Sequence, residues 1–111
     1  MISAIAKIIK RDKTVVDFTP DKITAAIRKA FVEVRKSVDN TALANLTDTV
    51  VKELERRFVE TTPMVENVQD VVEKQLMQSG HFDVAKAYIL YRYEHAKERA
   101  AKAGVELQIT E

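Results

Sequence analysis

Few residues in this chain have the type and spacing to do chemistry, and most of those stand alone. The two histidines, His81 and His95, fall on different segments and have no partner at metal-ligand spacing, so each reads as a single surface histidine. There is no Cys, which excludes thiol nucleophiles, zinc ribbons and disulfide scaffolds. Ser3, Ser37 and Ser79 lack the sharp glycine-flanked turn of a serine nucleophile. No phosphate-cradling P-loop and no G-x-G-x-x-G occurs. The Asp and Glu residues of the middle of the chain fit solvated helix faces, not an acid–base pair. No catalytic residue and no metal site is expected, and the chain reads as a non-enzyme.

One constellation is richer. Lys10 and Arg11 are adjacent in a polar link, and Lys22 follows shortly after Thr19-Pro20. Thr19 can cap a helix and Pro20 suits its first position, so Lys22 falls in a first helical turn. Three cations beside a helix N-terminus suit phosphate. Arginine binds it bidentately, lysine supplies point charge, and backbone N–H groups add donors. Ile8, Val16, Phe18 and Ile23 lie close by in sequence and could sandwich a planar base. Charge for phosphates beside an apolar slot is what a nucleotide needs. The other reading of the same residues is a basic hairpin tip with ordinary core behind it. Tyr88 and Tyr91 share one helix face while Tyr93 points elsewhere. They fit core packing with hydroxyls at the rim, or stacking on a base or a partner helix.

The elements that must position these groups can be read from periodicity. Ala4–Ile9 and Thr14–Phe18 are β-prone runs around Lys10-Arg11-Asp12-Lys13, which predicts a hairpin over 5–18. The turn has no Gly, and Asp12 tolerates a left-handed conformation better than Lys13 does. Four helices follow across 20–102. The first carries Ile23, Ile27, Ala30, Phe31 and Val34 on one stripe and ends near Lys36. The second opens at Asp39-Asn40 and carries Leu43, Leu46, Val50, Leu54 and Phe58. Thr61-Thr62-Pro63 repeats the cap-then-proline signal before Val65, Val68, Val72 and Leu76, and Gly80 stops that third helix. Asp83 caps the fourth, which Gly104 ends. Residues 105–109 alternate apolar and polar and fit either a third strand on the hairpin or a tail. The fold class is α+β and mostly α: a four-helix bundle capped by a hairpin or small three-stranded sheet, in one domain over 1–111.

Composition agrees. The chain has 111 residues, 46% hydrophobic, with Lys+Arg 18 against Asp+Glu 17. A net charge of +1 lacks the basic footprint of a dedicated DNA binder. Two Gly and two Pro favour long regular elements over a many-turned sandwich. No apolar run is long enough to span a membrane. Lys7 comes too early for a secretory signal, so the expected setting is cytoplasmic.

In order, these features resemble the ATP-cone family. Ile8-Ile9-Lys10-Arg11-Asp12, then Val15-Val16-Asp17-Phe18, then Asp21-Lys22-Ile23 with the Ile27-Ala30-Phe31 stripe, are similar to its opening. Val65–Glu73 resembles its third helix and Gly80–Arg92 its fourth, so the likeness spans roughly residues 5–97. The resemblance implies a regulatory domain that binds ATP or dATP, with Mg²⁺ accompanying the triphosphate. It implies control of a ribonucleotide reductase through oligomeric assembly. The partners would be the catalytic or radical-generating subunit, or further copies of the chain. By position, Lys10, Arg11 and Lys22 match residues that meet phosphates, and Ile8, Phe18 and Ile23 match walls of the base site. Val65, Val68 and Gln69 match helix-three positions facing the base, Gln69 placed to hydrogen-bond it. His95 or Lys97 falls near a basic helix-four position that approaches phosphates. Lys13 departs from the family, whose turn has Gly there. With no catalytic domain expected after residue 111, the expected alternatives are an isolated regulatory piece, a free-standing regulator of transcription, or an interaction module that has lost nucleotide binding. The family also occurs in a bacterial repressor of reductase genes, whose zinc ribbon this sequence cannot form without Cys.

Overall fold

The described part of the chain, residues 5–102 of a computed structural model, contains the hairpin and all four helices. In order these are β1 (Lys7–Ile9), β2 (Val15–Asp17), α1 (Pro20–Glu33), α2 (Asn40–Arg57), α3 (Val65–Gln78) and α4 (Phe82–Lys102). The mostly helical α+β architecture is the expected one. Residues 105–109 lie outside the described range.

The strands pair antiparallel, with Lys7 opposite Asp17, Ile8 opposite Val16 and Ile9 opposite Val15. The turn is closed by the Lys13 N–H donating to the Lys10 carbonyl (2.9 Å) and the Lys10 N–H to the Thr14 carbonyl (2.8 Å). Lys13, at φ +75°, is the left-handed residue, not Asp12. Asp12 braces the turn instead: its Oδ1 accepts from the Thr14 hydroxyl (2.6 Å) and the Thr14 N–H (3.0 Å). Those two bonds hold the Asp12 carboxyl below its usual range. The left-handed region disfavours any side chain by about 1–2 kcal/mol, partly offset by the entropy glycine loses on folding. Lys13→Gly should therefore raise stability by about 0.5–1 kcal/mol in thermal or urea unfolding. A loss of stability would contradict this account of the turn.

Helix ends differ from the sequence expectation in four places, one being α4, which starts at Phe82 so that Asp83, expected to cap it, lies inside its first turn. At the start of α1, Thr19 occupies the cap position and Pro20 the first turn, but the Thr19 side chain makes no capping bond. The helix ends at Glu33 and does not reach Lys36. Arg35 turns left-handed at φ +57°, its N–H bonds the Val32 carbonyl, and the Lys36 N–H bonds the Phe31 carbonyl. This left-handed stop leaves Lys36 to reach Asp83 at the start of α4 (2.8 Å). Pro63 does not open α3. It lies in an extended segment whose carbonyl accepts from the Ile9 N–H (3.0 Å), and Met64 bridges in parallel to Ile9. Helix α3 then begins at Val65, with Asn67 and Met64 bonded reciprocally: Met64 N–H to Asn67 Oδ1 (2.8 Å) and Asn67 N–H to the Met64 carbonyl (3.0 Å). Asp39, read from the sequence only as a break, caps α2 by accepting from the Ala42 N–H (2.7 Å), and Gly80 at φ +83° ends α3 as expected.

Each helix packs on two others, α1 on α2 and α4, and α3 on α2 and α4, giving a four-cornered bundle. Ile27, Leu43, Val50, Leu54, Leu76 and Val84 are fully buried at its centre. The hairpin is too small to stand alone. Buried Ile5 and half-buried Ile8 and Phe18 fasten it to this core.

The end of α2 carries an acid-sensitive cluster. Glu53 accepts from Arg56 (3.1 and 2.6 Å) and from Arg57 (2.6 Å), which lowers its carboxyl from 4.5 to about 2. The folded value lies below the unfolded one. The cluster's contribution is therefore complete above about pH 4.5 and is lost as the pH falls through about 2. Glu53→Gln should flatten the acid limb of the stability curve in that window. An unaltered limb would mean that the cluster contributes nothing.

Candidate functional site

The hairpin, the first turn of α1 and the start of α3 enclose a cleft of about 270 Å³. Its position follows from the elements. The Ile9–Met64 bridge brings the hairpin against the head of α3, and the short β2–α1 link places Lys22 beside the hairpin. Lys10 and Lys22 both line the cleft and both side chains are solvent-exposed. Among the described residues neither is held in an ion pair within 4.0 Å. Ile8, Phe18 and Ile23 form one apolar side, Val65 and Val68 the other, with Tyr88 and Tyr91 of α4 behind. Thr19, whose side chain leaves the α1 terminus uncapped, also faces it. The volume is a little under the roughly 300–1,000 Å³ of small-molecule pockets. It suits a base with its sugar, the phosphates lying at the lysine-lined mouth.

Eight of the eleven residues singled out from the sequence are thus brought together: Ile8, Lys10, Phe18, Lys22, Ile23, Val65, Val68 and Gln69. The other three lie elsewhere. Arg11 turns to α3, where its Nη1 donates to Glu66 Oε2 (2.6 Å) and its Nη2 to Gln69 Oε1 (2.9 Å). Gln69 therefore faces the cleft with its oxygen already engaged. His95 lies in an adjoining groove between α1 and α4 that shares Ala26, Tyr88 and Tyr91 with the cleft, its ring 4.1 Å from that of Tyr91. Lys97 sits over the Tyr93 ring at 5.5 Å. Tyr88 and Tyr91 do share a face, with ring centroids 6.4 Å apart. Tyr88 is buried, which pushes its phenol well above the usual range. His81 packs edge-on against Phe31 at 5.1 Å, a structural contact.

A second groove, of about 450 Å³, gathers Arg11, Glu66, Glu73, Arg92 and Arg99. Arg92 donates to Glu73 and to Asp70 (3.1 Å). Burial, then the like charge of Arg11, lowers the Arg99 value, and Glu66 opposes that shift. Arg92 and Arg99 are the α4 cations that share this groove with the hairpin tip, whereas His95 and Lys97, expected near the phosphates, line neither this groove nor the cleft. Their seven-residue spacing, two turns on one helix face, was the available signal.

The arrangement of hairpin, helices and cleft can be set beside known proteins. The ATP cone domain family matches residues 6–97.

The chain belongs to the ATP-cone family.

This ATP-cone is 40% identical over 106 residues to a ribonucleoside-diphosphate reductase subunit alpha from Chlamydia pneumoniae, covering 90% of the chain and 10% of that protein. It is 44% identical over 108 residues to a vitamin B12-dependent ribonucleoside-diphosphate reductase from Thermoplasma acidophilum, covering 93% of the chain and 13% of the relative. A third, the subunit alpha from Treponema pallidum, is 36% identical over 103 residues. The chain thus spans about a tenth of the length of the curated relatives it matches. That share corresponds to a regulatory domain of such proteins and not to their catalytic region. No helix among the described residues is long and apolar enough to cross a membrane.

Proposed function

We propose that this ATP-cone binds ATP or dATP in the hairpin cleft and reports its occupancy to a ribonucleotide reductase in the cytoplasm. The observation that carries the reading is the convergence of Lys10 and Lys22, both exposed and without ion-pair partners among the described residues, at the mouth of an apolar slot. The base lies between Ile8, Phe18 and Ile23 on one side and Val65 and Val68 on the other. Gln69, its oxygen held by Arg11, offers its Nε2 hydrogens to the base. The triphosphate runs to Lys10 and Lys22 across the uncapped start of α1, where helix dipole and N–H groups favour an anion. Mg²⁺ would arrive on the triphosphate, whose oxygens and waters supply most of its ligands.

ATP and dATP differ only at the ribose 2′-hydroxyl, so discrimination must act there. A regulatory output further requires that the nucleotide bind two assembly states unequally, since equal affinity shifts nothing. The states would be different associations of the cone with the catalytic or radical-generating subunit or with further copies. Exposed Phe82, Ile89 and Leu90 on α4 are candidates for that contact. They also support a second reading, a protein-interaction module that no longer binds nucleotide.

Calorimetric titration with ATP and with dATP, each with Mg²⁺, separates the two. Saturable binding of either is the expected result. No heat at millimolar ligand, with the fold intact by circular dichroism, would leave the interaction module.

A further inference from the structure

The hairpin tip presents two cations that do different things. Lys10 faces the cleft, whereas Arg11, the next residue, is already occupied. Its guanidinium forks onto Glu66 and Gln69, three residues apart on the first turns of α3. The pair is partly exposed, with 27% of the Arg11 side chain and 43% of Glu66 accessible. Glu66 is poorly satisfied in it. Only Oε2 takes a bond from Arg11, and Oε1 is buried with no hydrogen-bond partner among the described residues. A buried acceptor left unpaired is costly, so this carboxylate does not sit in an optimal ion pair. A phosphate would offer Arg11 two oxygens in the geometry that its fork prefers.

Glu66 also has a second cation at hand. Arg99 lines the same groove as Arg11 and Glu66, close enough to feel the repulsion of one and the attraction of the other. If Arg11 left, Arg99 would remain to balance Glu66, and two guanidinium groups would no longer crowd one groove.

We propose that Glu66 is an internal competitor for phosphate, holding Arg11 out of the nucleotide cleft and thereby lowering the affinity of the site. The inference rests on the nucleotide reading of that cleft and adds a residue that sets its affinity. Nucleotide entry exchanges partners: the phosphates take Arg11 and Arg99 takes Glu66. The exchange links the hairpin through α3 to α4.

The test measures Mg²⁺-ATP and inorganic tripolyphosphate binding to the wild-type chain, Glu66→Gln, Glu66→Ala and the double variant Arg11→Ala/Glu66→Gln. Glutamine keeps the shape and removes the charge. Both ligands should bind Glu66→Gln about fivefold more tightly than wild type, consistent with about 1 kcal/mol for a partly exposed ion pair. Glu66→Ala should shift in the same direction, and in the double variant the gain should vanish. A structural role for Glu66 predicts the opposite sign. Saturable wild-type binding with unchanged or weaker binding by Glu66→Gln would remove the competition and leave the nucleotide site standing. A gain for ATP without one for tripolyphosphate, or a gain that survives loss of Arg11, would also overturn it. Failure of folded wild type and both single variants to bind either ligand would overturn the nucleotide reading and the competition with it.

Discussion

Lys10→Ala and Lys22→Ala each weaken ATP binding by about 10- to 100-fold, and together by more, while thermal stability stays within about 0.5 kcal/mol of wild type. The first figure reflects the loss of a charge-assisted contact to phosphate, worth about 1.5–3 kcal/mol. The second follows from exposure, because both side chains are solvent-exposed and neither holds an ion pair among the described residues. Lys52→Ala is the charge-matched control. Its ammonium pairs with Asp48 on α2 (3.0 Å), outside the cleft, and its loss should leave affinity within about twofold. Raising the salt concentration should weaken wild-type binding more than it weakens binding by either lysine variant. Equal losses in all three lysine variants would mean that only net charge matters and that the cleft has no special place.

Leu76→Ala has the opposite profile. Leu76 is fully buried on α3, the helix whose first two turns present Val65, Val68 and Gln69 to the cleft. Truncation removes buried methyl groups and leaves a void, at about 2–5 kcal/mol. For a domain of this size total stability is of order 5–15 kcal/mol, so the melting temperature should fall by at least about 10 °C. At temperatures where the variant remains folded, nucleotide affinity should change little, since no cleft atom is lost. Leu76→Met, which roughly conserves volume, should cost under about 1.5 kcal/mol. Matched chemical denaturation curves for wild type and the alanine variant would contradict the core described for the bundle.

The bundle was legible because its signals are local and redundant. Ile23, Ile27, Ala30 and Phe31 repeat at helical spacing, and all four are buried on α1. Gly80 is a helix stop that few other residues could make, and it takes the positive φ expected of it. The cleft was legible for a related reason. Lys10, Phe18 and Lys22 are near neighbours in sequence, so a hairpin joined to a helix must bring them together. The resemblance supplied the α3 side of the cleft, which no local pattern could, since Val65 and Val68 are read from periodicity simply as core.

What sequence could not give were contacts between distant segments. The Ile9–Met64 bridge joins residues far apart and took Pro63 out of the helix it was expected to open. The left-handed turn fell on Lys13 because closure by the Lys10 and Thr14 backbone fixes which position must have positive φ, whatever side chain stands there. Arg11 was read with Lys10 as one pair, but adjacent residues at a hairpin tip can point apart, and Glu66 captured it. On α4 the choice of cation depends on helix rotation. At about 100° per residue Lys97 lies about 140–160° round the helix from Arg92 and Arg99, whereas His95 lies only about 40–60° to one side of them, enough to place it on the α1 side.

The central claim is that nucleotide occupies the cleft between the hairpin, the start of α1 and the head of α3. Amide and methyl chemical-shift mapping of the ¹⁵N,¹³C-labelled chain, titrated with Mg²⁺-ATP, tests it most directly. The account predicts that the largest saturating shifts fall on the Lys10 and Lys22 amides and on the methyls of Ile8, Ile23, Val65 and Val68. The α2 resonances should stay nearly still. Saturating shifts centred instead on the α1–α4 groove around Lys86 and His95, with the hairpin silent, would contradict it.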